Sequence, residues 1–279
     1  MSGLSIKKIA ILGASGMVAQ ETIKAFENAG FQLKLFSRSV KAANYPNHDT
    51  VKGNVFNDKD LALAIKDCDA IHITLSQLDE LVAVQKIVQA AQKQQIKLIS
   101  YVSGATVCKE NCSKLSFIYA KYKSEQLIKE SGIAYMIFRP TWFMESLALM
   151  IQDGKANVMG KQPLKIRWIA SKDFGEHLAS AYQKSECLNK EFSTYGPEGL
   201  TINEALEQYI KVKHPTIKKV ANAPFWMLKT IAFVSGNKKL KEIIPMFEYF
   251  EKTKEAGSPV NTERLLGKSK ITLKEWLAA

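Results

Sequence analysis

The chain has 279 residues, 46% of them hydrophobic and 24% charged, which excludes disorder and allows a sizeable core beside a smaller lobe. Four cysteines are too few for a disulfide scaffold, "MSGLSIKK" lacks the makings of a secretory leader, and Lys229 interrupts the longest apolar run, "APFWMLKTIAFVSG", so a cytoplasmic protein is expected. The formal charge of +12 concentrates in residues 211–254, where ten lysines face three acids, a net of +7; a solvated lysine face, an anionic ligand or an anionic surface accounts for it, and no motif of a nucleic-acid reader accompanies it.

In chain order, apolar runs alternate with amphipathic stretches. Strands are predicted at "KIAIL", "QLKLFS", "TVKG", "AIHITL", "KLISYVS" and "YMIFRP", with helical patterns between them. Such alternation indicates right-handed βαβ units and a parallel sheet with helices on both faces. Gly30 and Gly132 stand where helices end. After Pro140 the reading is a helix at "WFMESLALMIQDG", a strand at "KIRWIA", a helix from Ser171 as N-cap, a strand at "KEFSTYG", and an almost purely helical remainder from Thr201. Residues 1–140 therefore form the core domain, its sheet completed by strands within 164–197. Residues 141–279 form a substrate or lid lobe, mostly helical after 200.

"ILGASGMVAQ" follows the first strand and opens a helix at Met17. In that context Gly13 allows a tight turn and Gly16 a close backbone approach, while the exposed amides and dipole of the helix start favour a pyrophosphate. Ala19 stands in the third, packing position. The contacts to a dinucleotide are assigned to Gly13, Ser15, Gly16, Met17 and Val18. The second strand ends in Ser37-Arg38, where an NAD-preferring chain carries an acid; a guanidinium there pairs with a 2′-phosphate, so NADP(H) is expected over NAD(H). Asn54 and Val55 are candidates for the adenine, and Leu75 and Ser76, where "AIHITL" ends, for further cofactor contact. The fold class is thus α/β, a Rossmann-type doubly wound parallel sheet with a smaller, mostly helical C-terminal lobe.

Several motifs in order, "GASGMVA", "FSR", "GNVFNDKDLALAIKDCDAI", "YVSGA", "KYKSEQLIKESGIAYMIFRPTWFMESL", "WIASKDFGEHLA" and "TYGPEGLTINEAL", resemble the NmrA-like, NAD(P)-binding group of atypical short-chain dehydrogenases/reductases. The likeness extends to about residue 210 and to the terminal "NTERLLGKSKITLKEWLAA"; the lysine-rich stretch between them matches poorly. It implies either an NADPH-dependent oxidoreductase acting on a small carbonyl or quinone-like substrate, or a redox sensor that binds NADP(H) without turnover and contacts a protein partner.

Short-chain reductases use a Tyr-x-x-x-Lys pair and a serine at the end of the fifth strand. Ser103 is the serine match. Two frames are open for the pair. Tyr119 and Lys123 satisfy the pattern literally, whereas the landmarks Glu125, Ser131, Gly132, Arg139 and Pro140 select Lys121, which puts Phe117 at the tyrosine position. The frames differ by two residues, about 200° around a helix, so only one can face a cofactor. Trp142, Phe143 and Met144 are candidate walls of the substrate pocket. His72, inside an apolar strand, reads as a core histidine, and no metal-ligand spacing is present. "CKENC" (Cys108 and Cys112) reads as free thiols or a redox pair. "FWMLKTIAFVSGNKKLK", from Phe225, reads as a buried lobe helix or as an interfacial helix on a membrane surface.

Overall fold

A computed structural model describes residues 4–75 and 79–279. The first half delivers β1 (Lys8–Leu12), α1 (Ala19–Asn28), β2 (Gln32–Ser37), β3 (Asp49–Lys52), α2 (Asp58–Ile65), β4 (Ala70–Ile73), α3 (Glu80–Lys93), β5 (Leu98–Val102), α4 (Ser116–Lys129) and β6 (Ala134–Pro140). The chain then makes β7 (Ile151–Gln152), β8 (Lys155–Met159), α5 (Ser171–Tyr182) and β9 (Lys190–Thr194). It ends in α6 (Ile202–Lys213), β10 (Val220–Ala223), α7 (Phe225–Val234), α8 (Lys238–Lys252), α9 (Val260–Leu266) and α10 (Leu273–Ala278).

The main sheet has seven strands in the order β3-β2-β1-β4-β5-β6-β9, every neighbouring pair parallel. Alternation along β1 explains why both faces are covered. Ile9 and Ile11 join Phe26 of α1 and Phe174 of α5 on one side. Ala10 and Leu12 join Leu61 of α2 and Ile87 of α3 on the other. The order reverses between β1 and β4, the switch point at which a doubly wound sheet opens a crevice beyond its strand ends. A third core, around Trp168, Leu206, Phe247 and Leu273, holds the C-terminal lobe.

The structure corrects four local readings. First, the helix after the glycine turn begins at Ala19, not Met17, because residues 13–18 form successive tight turns closed by Gly16 N–H to Gly13 O and Ala19 N–H to Gly16 O. Second, "KIRWIA" is not a strand: Ile166 and Ile169 make single bridges to different neighbours, Leu200 and Phe143, while Trp168 is buried between them. Third, "WFMESLALM" forms a 3₁₀ helix over Met144–Met150, and the segment after it enters a small sheet, β10-β8-β7, which the helical reading of the tail missed. Fourth, Ala170 is the N-cap of α5; the Ser171 N–H and Oγ instead donate to the Glu145 carboxylate, tying the 3₁₀ helix to α5.

The chain returns to the sheet after first leaving it. α5 packs along α1, and β9 extends the sheet next to β6. The close α1–α5 approach needs Gly175, since a Cβ there would lie 2.8 Å from the Glu21 carbonyl oxygen and 3.2 Å from the Ala25 Cβ. Gly175→Val is expected to push the helices apart and lower stability by about 1–3 kcal/mol in urea denaturation.

Candidate functional site

At the switch point, Gly13 takes φ +103° and sits against Thr74, just past β4; a Cβ there would overlap the Thr74 carbonyl oxygen. Only glycine fits on both counts. Its N–H and that of Ala14 donate to Phe36 O, which ties the turn to β2. Among the described residues, none accepts a hydrogen bond from the amides of Ser15, Met17 or Val18, so these donors are free for an anion. The Ser39 Oγ donates to the Ser15 Oγ at 3.0 Å, and the Ser39 N–H to the Ser37 Oγ at 3.2 Å, so the ends of β1 and β2 form one polar edge with exposed Arg38 upon it.

A cavity of about 290 Å³ opens beside this edge. It runs from Gly16, Met17 and Val18 past Thr74 and Leu75 to Ser103, Phe117 and Lys121, and is roofed by Thr141, Trp142, Phe143, Phe250 and Glu255. The lining is mostly apolar with few polar groups, the usual form of a small-molecule site.

Lys121 is only 5% exposed. Its Nζ donates to Glu80 Oε1 at 2.8 Å and to Val102 O at 3.2 Å, and lies 5.2 Å from the Phe117 ring centroid and 5.3 Å from that of Tyr101. The Tyr101 hydroxyl donates to the same Glu80 oxygen at 2.5 Å. Burial, followed by the Glu80 charge, drives the Tyr101 pKa far up and keeps it a neutral donor. On the other side, the Ser103 Oγ donates to Glu125 Oε1 at 2.6 Å, and Arg139 Nε donates to that oxygen at 2.9 Å while its Nη2 takes the second. Burial works against the Arg139 charge, but Glu125 and Glu191 outweigh it and raise its pKa. The serine is thus held by a carboxylate whose own charge is matched.

The structure brings Gly16, Met17, Val18, Leu75, Ser103, Lys121, Trp142 and Phe143 to one cavity. Tyr119 is 47% exposed, off the cavity, with the Lys123 Nζ 5.8 Å from its ring centroid; the literal Tyr-x-x-x-Lys pair faces solvent. Met144 is fully buried in the lobe core and forms no part of the pocket wall. Trp142 packs edge-on to Trp168, Phe247 and Phe250. Val55 is buried among Phe36 and Leu61, and the Asn54 side chain accepts from the Phe56 N–H. Ser76 lies outside the described residues. His72 sits in the core, its Nδ1 2.7 Å from the Ser100 Oγ, and burial lowers its pKa to about 3.

Three site residues escaped sequence reasoning. Glu80 was legible: it shares its buried stripe with Ala83, Val84 and Ile87, and a carboxylate on an apolar stripe requires a partner. Glu125 was seen only as a landmark. Glu255, on the cavity roof, accepts from the Thr141 hydroxyl, and burial raises its pKa; it lies in the tail where the family likeness is weakest, so no signal pointed to it.

Comparison with known proteins bears on the family and the fold. Residues 13–180, more than half of the chain, match the NAD(P)H-binding family. The chain belongs to that family. This NAD(P)H-binding protein is 20% identical over 200 residues to the NAD(P)H azoreductase of Xenophilus azovorans, covering 69% of each chain. Its fold is that of a nucleoside-diphosphate-sugar epimerase from Staphylococcus aureus (TM-score 0.78, 15% identity, 98% and 100% of the two chains). It is also that of an NADPH-dependent quinone oxidoreductase from Escherichia coli, solved with NADPH (TM-score 0.75, 17% identity, 97% and 98%). The NAD(P)-binding family expected from the sequence is therefore the family found.

The two frames are separable by substitution. Lys121→Met leaves Glu80 buried without its cation and is expected to cost about 3–5 kcal/mol in chemical denaturation. Lys123→Met, on the exposed face, is expected to stay within about 0.5 kcal/mol of the parent.

Proposed function

We propose that this protein is an NADPH-dependent oxidoreductase that reduces a small carbonyl or quinone-like substrate. The observation that carries this reading is the single cavity joining the glycine turn to Lys121 and Ser103 at the carboxyl ends of β1, β4 and β5. The free amides of Ser15, Met17 and Val18 fit a pyrophosphate, Ser37 and Arg38 a 2′-phosphate, and the Lys121 Nζ the ribose hydroxyls. When bound, the nicotinamide supplies a hydride.

The chain's own groups supply the rest. Trp142 and Phe143 hold an apolar substrate face and keep water out. The Ser103 hydroxyl orients the reacting oxygen, with Glu125 fixing its rotamer. Carbonyl reduction also needs a proton on oxygen, and among the described residues no tyrosine lines the cavity. Glu255 is the cavity acid whose burial favours the protonated form, so the proton is assigned to it. Loss of that proton leaves a carboxylate that the Thr141 hydroxyl stabilises.

The absence of a cavity tyrosine also favours a second reading, a sensor that binds NADP(H) without turnover and signals to a protein partner. Two measurements separate the readings: fluorescence titration with NADPH, then NADPH consumption across quinones, azo dyes and small carbonyls. Binding with turnover supports the oxidoreductase, binding without turnover supports the sensor, and no binding rejects both. Arg38→Ala is expected to weaken NADPH about tenfold or more and leave NADH unchanged.

A raised carboxyl pKa means that the native protein retains the acid form above the usual carboxylate range, and that this form is lost as pH rises through the raised value. Turnover is therefore expected to fall on that limb. Glu255→Gln is expected to remove the limb and lower kcat by about 10²–10⁴.

A further inference from the structure

The lysine-rich hairpin of α7 and α8 has no role in the cavity chemistry beyond the roof residues at its far end. The sequence left "FWMLKTIAFV" open between a buried lobe helix and an interfacial one. Burial does not describe it: Ala232 is the buried residue of α7, while Trp226 is 72% exposed and Phe233 and Val234 are each 80% exposed. Trp226, Thr230 and Phe233 recur at i, i+4 and i+7 and so share one helix face, which Val234 extends to the exposed turn Ser235–Gly236–Asn237. A solvent-facing stripe is normally polar, and single exposed apolar residues are ordinary, but an exposed Trp, Phe and Val along one short helix are not.

Cations surround this stripe. Lys229, on the same helix, pairs with Glu248 at 2.6 Å. Lys238, Lys239 and Lys241 open α8 in exposed positions, and the Lys241 Nζ lies 5.9 Å from the Phe233 ring centroid. The ten-to-three excess of lysine over acid in residues 211–254 makes this the basic part of the chain.

We propose that the α7–α8 hairpin docks on an anionic phospholipid surface. Trp226, Phe233 and Val234 enter the boundary between headgroups and acyl chains, and Lys238, Lys239 and Lys241 meet the lipid phosphates. Charge selects this occupant over a second copy of the chain, because two such rims repel each other, whereas an anionic leaflet attracts each lysine. Size agrees: a stable protein interface buries about 1,200–2,000 Å², far more than a few side chains of one short helix provide, while interfacial insertion needs only an apolar wedge beside basic residues. Among the described residues no helix is long and apolar enough to cross a membrane, so the contact is peripheral. This proposal is independent of the reductase reading.

Vesicle flotation tests it, using equal parts phosphatidylglycerol and phosphatidylcholine against phosphatidylcholine alone. The intact protein is expected to float with the anionic vesicles and to shift its tryptophan emission to the blue. The double variant Trp226→Ser, Phe233→Ser is expected to lose both signals. The triple variant Lys238→Gln, Lys239→Gln, Lys241→Gln is expected to bind about tenfold or more weakly. All replaced side chains are exposed, so unchanged circular dichroism and thermal midpoint verify the fold of each variant. Failure to float, flotation that the variants leave intact, or equal flotation on neutral vesicles overturns the proposal. So does a dimer in light scattering that the double variant dissolves, since the stripe then covers a second copy.

Discussion

A lysine buried to 5% exposure is costly in isolation, and the arrangement of this molecule meets that cost with groups from three elements. Glu80 at the first turn of α3 supplies the counter-charge, Val102 at the end of β5 a carbonyl, and Tyr101 and Phe117 two ring faces. The pair therefore fixes how α3 and α4 sit against the end of β5. It also places the Lys121 ammonium at the wall of a largely apolar cavity. The same constraint dictates the rotation of α4: with Lys121 inward, Tyr119 and Lys123 must point to solvent.

The second carboxylate network follows the same logic beside it. Glu125 is fully buried and takes both the Ser103 hydroxyl and the Arg139 guanidinium, which in turn reaches Glu191 on β9. Because β9 arrives only after the chain has passed through β7, β8 and α5, the site depends on a segment distant in sequence from the glycine turn. The roof likewise draws on Phe250 at the end of α8 and Glu255 just beyond it. The C-terminal lobe is thus part of the site and not an appendage.

Legibility in the sequence followed the range of the interaction. Strand and helix alternation, the glycine turn and the Ser37-Arg38 edge are local patterns, and the parallel sheet with helices on both faces that the alternation implies is the one found. What the sequence obscured depends on distant partners. "KIRWIA" looks like a strand because Ile166, Trp168 and Ile169 are apolar, yet no continuous neighbour lies alongside it. β8 and β10 pair across more than 60 residues, with Val220 opposite Ala156. Met144 belongs to a large-residue cluster in sequence but turns into the lobe core, while Trp142 and Phe143 beside it face the cavity. In "FWMLKTIAFV", composition alone could not tell a buried helix from an exposed one, because burial is set by what packs over it.

The most direct test is a crystal structure of the protein with NADPH bound. The Lys121 Nζ should lie within hydrogen-bond distance of the nicotinamide ribose hydroxyls, with the nicotinamide ring in the cavity below Trp142 and Phe143. A cofactor bound elsewhere, or a ribose reached by Lys123 while Lys121 stays with Glu80 alone, would contradict the site described.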